Sequence, residues 1–233
     1  MAMFRYKPST LHKFVSRVRE QMALYRASGE PLKVCITAGN EKIGRVLNVS
    51  LAPIITCGNC SGCMWHCYDL SAGLFRTDVL KARARNTCIL EDDREDYFRQ
   101  IINRIRRTRK CRFFRWHVGG EIPDMDYLEH MIEIARMFPE WRFWTYTKMY
   151  GLINAYCRAH GNTRDCIPEN LSIMFSLWNG MECDNPYNFP VFACEMDGYS
   201  FPEIAHVCPS RCAVCIANRT GCAFGVSSKT GLH

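Results

Sequence analysis

Cys57-Gly58-Asn59-Cys60-Ser61-Gly62-Cys63-Met64-Trp65-His66-Cys67 crowds four thiols into eleven residues. So dense a run has too little apolar surface to seat itself as an ordinary helix or strand. It reads as a loop that wraps a metal centre. The spacing C-x2-C-x2-C-x3-C matches the ferredoxin-type loop around a [4Fe–4S] cube. Gly58 and Gly62 supply the backbone freedom such a tight loop demands. A structural zinc site also uses C-x2-C pairs, but a zinc ribbon separates its two pairs more widely, so the spacing favours iron–sulfur. The chain holds 15 cysteines in 233 residues. Residues 1–8 lack the apolar core of a secretory signal, so a cytoplasmic location is expected. There, cysteines serve as metal ligands, redox groups or small buried hydrophobes rather than as disulfides.

A second cluster closes the chain: Cys208, Cys212 and Cys215, spaced C-x3-C-x2-C, with Cys222 seven residues on. It suits a second cube or a zinc knuckle; iron–sulfur is again the preferred reading, by a smaller margin. Of the other cysteines, Cys35 and Cys194 fall in expected strands and read as core hydrophobes. Cys88, Cys111, Cys157, Cys166 and Cys183 carry no signal of a role.

Between the clusters the hydrophobic pattern alternates helix and strand. The first helix is expected over 10–28, capped by Ser9 and stopped by Gly29, with Leu11, Phe14, Val15, Val18, Met22 and Tyr25 on one face. Strands are expected over 33–38 and 43–51, joined by a turn at 39–42, and a broken helical stretch over 71–85. Then come helix 94–109, strand 112–118, helix 126–137 with Asp126 and Glu129 in capping-box spacing, strand 141–147 and helix 150–160. Strands follow over 171–177, 191–196 and 204–207. This alternation predicts an α/β fold with a parallel sheet, specifically a partial (β/α) TIM-like barrel with cysteine-rich cluster loops. The expected organisation is an N-terminal helix over 1–31, the partial barrel over 32–207, and a cysteine-rich segment of the same domain over 208–233.

In parallel α/β folds ligands bind at the carboxyl ends of strands. Strand 112–118 runs into His117-Val118-Gly119-Gly120-Glu121, and strand 141–147 into Lys148. Gly119 and Gly120 would let a ligand approach the backbone, and Glu121 could hold an ammonium group or a ribose hydroxyl. His117 and Lys148 are the candidate catalytic groups, for proton transfer or anion binding. The three side chains are expected at one rim. Each also has a bland reading, a tight turn for the glycines and solvated charges for the rest.

Lys plus Arg total 30 against 23 Asp plus Glu, a net charge of +7. That permits nucleic acid as a partner. The run Arg104, Arg106, Arg107, Arg109, Lys110, Arg112, Arg115 is better explained by cations complementing a helix C-terminus. No stretch approaches the ~18 consecutive apolar residues of a membrane span, so no membrane partner is expected.

Several blocks resemble the phage gene product 88 family. They are Asn48-Val49-Ser50-Leu51, Thr56-Cys57, Cys67-Tyr68, Ala84-Arg85-Asn86, Phe114 to Glu121, Tyr127-Leu128, Phe143 to Lys148, and Cys208-Pro209 with Cys212 and Cys215. This resemblance implies a bacteriophage or bacterial cytosolic protein and brings no activity with it. More distantly, the order of Cys60, Cys63, Cys67 and Tyr68, then Gly119, Gly120 and Glu121, resembles the radical S-adenosylmethionine (SAM) barrel. There three cysteines hold a [4Fe–4S] cluster and a GGE-type motif grips the SAM amino group. The superfamily spacing C-x3-C-x2-C occurs here at Cys208, Cys212 and Cys215, while Cys60, Cys63 and Cys67 are spaced C-x2-C-x3-C.

The sequence therefore leads to an iron–sulfur redox enzyme, an oxidoreductase or radical SAM-like enzyme with one or two [4Fe–4S] clusters. Cys57, Cys60, Cys63 and Cys67 would hold one cluster, and Cys208, Cys212, Cys215 and Cys222 a separate metal. Tyr68, Gly119, Gly120 and Glu121 would bind SAM or a flavin. The partners would be a small-molecule substrate and an electron donor. The competing reading is a zinc-stabilised nucleic-acid-binding phage protein without catalysis.

Overall fold

The computed structural model describes residues 6–39, 43–58, 63–178, 181–195 and 199–231. Two compact units emerge. The first comprises residues up to 36, 49–109 and 117–121, and the second residues 37–48, 110–116 and 122 onward.

The first unit is helical. Helix α1 spans Pro8–Ser28 and buries Leu11, Phe14, Val18 and Met22 of the expected stripe, while Val15 and Tyr25 are half-buried. Its N-terminus differs from expectation. Pro8 occupies the first turn, where its missing N–H costs nothing, so the cap is Lys7 and not Ser9. Gly29 caps the other end, its N–H donating to the Arg26 carbonyl. The broken helical stretch resolves into α2 (Tyr68–Phe75) and α3 (Thr77–Asp92). Helix α4 (Arg94–Arg107) follows, capped by the Asp93 carboxylate, which accepts from Asp96 N–H. Its last turn carries Arg104, Arg106 and Arg107, the placement in which cations complement the helix dipole. Under the first cysteine loop, Phe14, Val18 and Met22 of α1 pack with Ala52, Leu70, Leu80, Ala84 and Cys88; Ile54, Ile55, Met64, Trp65 and Cys67 cover that cluster.

The second unit is built on the sheet. Its strands are β1 (Leu47–Val49, which runs on into the first unit), β2 (Phe113–Trp116), β3 (Arg142–Thr147), β4 (Leu171–Leu177), β5 (Val191–Glu195), β6 (His206–Val207) and β7 (Ser228–Gly231). The order is β1-β2-β3-β4-β5-β7-β6. Pairing from β2 through β7 to β6 is parallel throughout. Helix α5 (Met125–Met137) connects β2 to β3, and α6 (Tyr150–Ala159) connects β3 to β4. The α/β class and the parallel sheet agree with expectation. The finer expectation of a partial TIM-like barrel is not confirmed: the order runs from an edge at β1 to an edge at β6, and the sheet is not closed.

Other differences are local. Residues 33–38 form no strand; Thr37 makes one antiparallel bridge to Asn48. The turn at 39–42 and the end of strand 191–196 lie partly outside the described residues. Helix α5 is capped by Asp124, whose carboxylate accepts from Tyr127 N–H, and not by Asp126. Within the last cluster lie a short helix α7 (Cys212–Ala217) and, beyond it, the unexpected strand β7, which inserts between β5 and β6. Aromatic rings fill the core beside β2 and β3. Phe114 lies 4.8 Å from Trp116 and 5.9 Å from Phe143, and Trp116 meets Tyr127 edge-on.

Candidate functional site

The first unit brings the segments that flank the cysteine run onto the 117–121 loop. Strand β2 ends at Trp116, and His117 turns the chain with a φ of 53°, in the left-handed region. Histidine is among the residue types that tolerate this conformation, and here it is 3 % exposed. The turn brings the following peptides onto the segment that leads into the cysteines. His117 N–H donates to the Val49 carbonyl at 3.0 Å, and Leu51 N–H to the Gly119 carbonyl at 3.0 Å. The Ser50 hydroxyl accepts from Val118 N–H at 3.1 Å and Gly119 N–H at 3.2 Å. The Thr56 hydroxyl accepts from Glu121 N–H at 3.4 Å. From the far side of the cysteine loop, the Tyr68 hydroxyl donates to the Val118 carbonyl. The loop bearing Gly119, Gly120 and Glu121 is thus held by residues on both sides of the cysteine run.

Both glycines are there because nothing larger fits. A Cβ on Gly119 would fall 1.7 Å from Asp69 Oδ2. Gly120 has a φ of 83°, and a Cβ there would lie 2.8 Å from Leu51 Cβ and 2.9 Å from the Thr56 hydroxyl oxygen. Asp69 is itself locked. Its carboxylate accepts from Arg83 Nη2 at 2.8 Å and Nε at 3.0 Å, a two-pronged ion pair in which Asp69 is 3 % and Arg83 13 % exposed. Burial alone would lower the Arg83 pKa; the Asp69 carboxylate overrides it, and the net shift is upward.

The scaffold behind these loops is polar and buried. Asn86 on α3 donates to the Ser50 and Cys35 carbonyls and accepts from Cys35 N–H, and the Thr87 hydroxyl accepts from Ala52 N–H. Cys35 is therefore a half-buried residue of an irregular segment rather than a strand core residue, whereas Cys194 is buried in β5.

Of the first cluster, Cys57, Cys63 and Cys67 lie in the described residues; Cys60 and Gly62 lie outside them. Cys63 opens a 3-10 turn over Cys63–His66, and Cys67 caps α2, its sulfur accepting from Leu70 N–H at 3.4 Å. Burial pushes the Cys67 thiol up to about 12, against the Leu70 hydrogen bond, and the charges of Asp69, Cys57 and Cys63 add to the rise. A metal ion that displaces the thiol proton is the ordinary way such a group becomes a thiolate at neutral pH. Cys57, Cys63 and Cys67 are the described thiols of this run, and as placed they are not grouped as tightly as a single metal ion requires.

The second unit holds the remaining candidates. Lys148 follows β3, its ammonium 5.7 Å from the centre of the Trp178 ring. Arg112 and Arg115 lie over Trp141 and Tyr146. Cys208 follows β6, with its N–H on the Lys229 carbonyl, and Cys212 and Cys215 lie on α7. Cys222 opens a 3-10 turn and packs with Val46, Trp144 and Ala223. No three His, Cys, Asp or Glu side chains among the described residues are grouped as tightly as a single metal ion requires. Nor is any helix among them long and apolar enough to cross a membrane.

The residues missed from sequence were Ser50, Thr56, Asp69 and Arg83. Ser50 and Thr56 stood inside blocks that carry the resemblance. Asp69 and Arg83 are thirteen residues apart along the chain by intervening count, with no motif to link them.

A family model described as gene product 88 matches residues 23–185 of the chain. The match spans both the cysteine loop and the 117–121 loop. No curated protein and no solved structure gives a significant match.

Proposed function

The chain belongs to the gene product 88 family, and on that premise we propose that it is an iron–sulfur redox enzyme. In this reading Cys57, Cys60, Cys63 and Cys67 hold a [4Fe–4S] cluster, next to a small-molecule site formed by the 117–121 loop. The observation that carries the reading is the clamp: Val49, Leu51, Ser50 and Thr56 before the cysteines, and Tyr68 after them, all bond to residues 117–121.

When bound, the cluster supplies one-electron transfer. The protein's own residues do the rest. Gly119 and Gly120 let the loop pack on Asp69, Leu51 and Thr56, which fixes the position of Glu121. Glu121 holds an ammonium or a ribose hydroxyl, the groups that SAM or a flavin would present. His117, buried at the turn, carries a proton to or from that ligand, and Arg83 offsets negative charge beside Cys67 through Asp69. Lys148 serves the second unit as an anion-binding group. The open parallel sheet with strands β1 to β5 in chain order is compatible with the partial barrel of radical SAM-like enzymes, and that kinship is part of the proposal.

Cys63→Ser and Cys67→Ser variants, prepared without oxygen, test the cluster. Iron should fall from about four atoms per chain in the parent to near zero in either variant, with zinc unchanged. Full retention of iron in both variants, or zinc in place of iron in the parent, would overturn the assignment.

A further inference from the structure

We propose that Cys157 and Cys166 of the second unit are a reversible dithiol pair, a site at which a hydroperoxide converts two thiols into one disulfide. The pair lies outside both cysteine clusters and does not rest on the iron–sulfur reading. The two sulfurs stand 3.7 Å apart, in van der Waals contact, and both thiols are free. A disulfide holds its sulfurs at about 2.05 Å, so from 3.7 Å they have about 1.7 Å to close.

Local structure sets the two thiols face to face. Cys157 lies in the last turn of α6, fully buried. Beyond Ala159 the chain reverses through Gly161 and Asn162, with φ of 91° and 56°, a conformation that glycine and asparagine tolerate. Asn162 N–H then donates back to the Cys157 carbonyl at 2.9 Å. Thr163 caps a 3-10 turn over Arg164–Cys166, its hydroxyl accepting from Asp165 N–H at 3.2 Å. That turn places Cys166 Sγ 3.2 Å from the Thr163 carbonyl and against Cys157. Neighbouring segments hold the reversal. Arg136 of α5 donates to the Cys166 carbonyl at 3.0 Å, Arg164 to the Asn188 carbonyl at 3.0 Å, and the Tyr187 hydroxyl to the Asn162 side-chain oxygen at 2.8 Å. With the backbone held at both cysteines, the remaining approach falls to side-chain rotation.

The two thiols differ in exposure, which sets the order of events. Cys166 is half-buried and Cys157 buried, so an oxidant reaches Cys166 first. Burial pushes the Cys157 thiol up to about 12, the contact with Cys166 adds to the rise, and Arg164 and Arg158 oppose it. The Cys166 thiolate attacks one oxygen of hydrogen peroxide; an S–O bond forms, the O–O bond breaks, and the other oxygen takes up a proton and leaves as water. The Cys157 sulfur then attacks the sulfenic sulfur of Cys166. The S–S bond forms, the S–O bond breaks, and the hydroxyl leaves with the Cys157 proton as a second water. Two thiols lose two electrons, and one peroxide is reduced to two waters. The bond ties the end of α6 to the segment that enters β4.

The test uses the full chain, reduced, freed of reductant, treated with hydrogen peroxide and alkylated as it is denatured. Trypsin cuts after Lys148, Arg158 and Arg164, and a glutamate-specific protease cuts after Glu169, so each cysteine falls in its own peptide. Mass spectrometry should show residues 149–158 joined to residues 165–169 in most chains, two hydrogens lighter than the two thiol peptides together, and separated again by dithiothreitol. In Cys157→Ser, dimedone should label Cys166 as its sulfenic acid; in Cys166→Ser, Cys157 should stay a thiol. Full alkylation of both cysteines in the unmodified protein, Cys157 joined to a different cysteine, or Cys166 carried on to sulfinic acid beside a free Cys157 would each overturn the proposal. Peptide mapping of the unmodified protein reads the bond whether or not either variant folds, and iron content does not enter the readout.

Discussion

Asp69→Ala is expected to lower the unfolding free energy by about 3–5 kcal/mol, because it strands a buried guanidinium. Both members of the pair are shielded, Asp69 at 3 % and Arg83 at 13 % exposure, so solvent screens them little. The two bonds, at 2.8 and 3.0 Å, are what Arg83 receives in return for leaving water. Asp69→Leu combined with Arg83→Met should recover most of the loss, since the cost lies in the unpaired charge rather than in the absent pair. Urea unfolding of the three proteins checks this. A single-variant loss below about 1 kcal/mol, the range of exposed pairs, would contradict the buried-pair account.

Gly119→Ala is expected to be comparably severe. The added Cβ would sit 1.7 Å from Asp69 Oδ2 and 2.1 Å from Asp69 Cγ. That carboxylate cannot swing aside, because Arg83 holds both of its oxygens. Either the ion pair breaks or the 117–121 loop lifts off Ser50 and Leu51, and a loss of about 3 kcal/mol or more should follow. Gly151→Ala is the control. Gly151 lies in α6, a Cβ there meets nothing within 4 Å, and the change should stabilise the protein by roughly 0.5–1 kcal/mol. Equal effects of the two substitutions would mean that Gly119 does not pack on Asp69.

The contrast between what the sequence shows and what it hides has physical causes. Strand β4 is legible to the residue because Leu171–Leu177 is an apolar run broken only by Ser172 and Ser176, as suits a strand buried on both faces. Helix α3 was read short. Its buried face carries Asn86 and Thr87, whose polarity breaks the apolar period, and they are polar because they satisfy the backbone of Cys35, Ser50 and Ala52. Strand β7, Ser-Lys-Thr-Gly, has neither apolar alternation nor branched aliphatic residues; it is a strand only because β5 and β6 flank it. Residues 33–38 look like a strand by composition, yet Cys35 spends its N–H on Asn86 instead of a neighbouring strand.

The site divides in the same way. Cysteine spacing and the strand-end glycines were visible because they are local patterns. The Asp69–Arg83 pair and the Ser50 and Thr56 hydroxyls join residues by tertiary contact, and only the fold reveals them.

The central claim is that the first cysteine loop holds a [4Fe–4S] cluster. Iron and acid-labile sulfide per chain, measured on anaerobically purified protein with its visible spectrum, test it most directly. The account predicts a brown protein with about four iron and four sulfide attributable to the first loop, and absorption near about 400 nm. A colourless protein that carries zinc and no sulfide after anaerobic supply of iron and sulfide would contradict it.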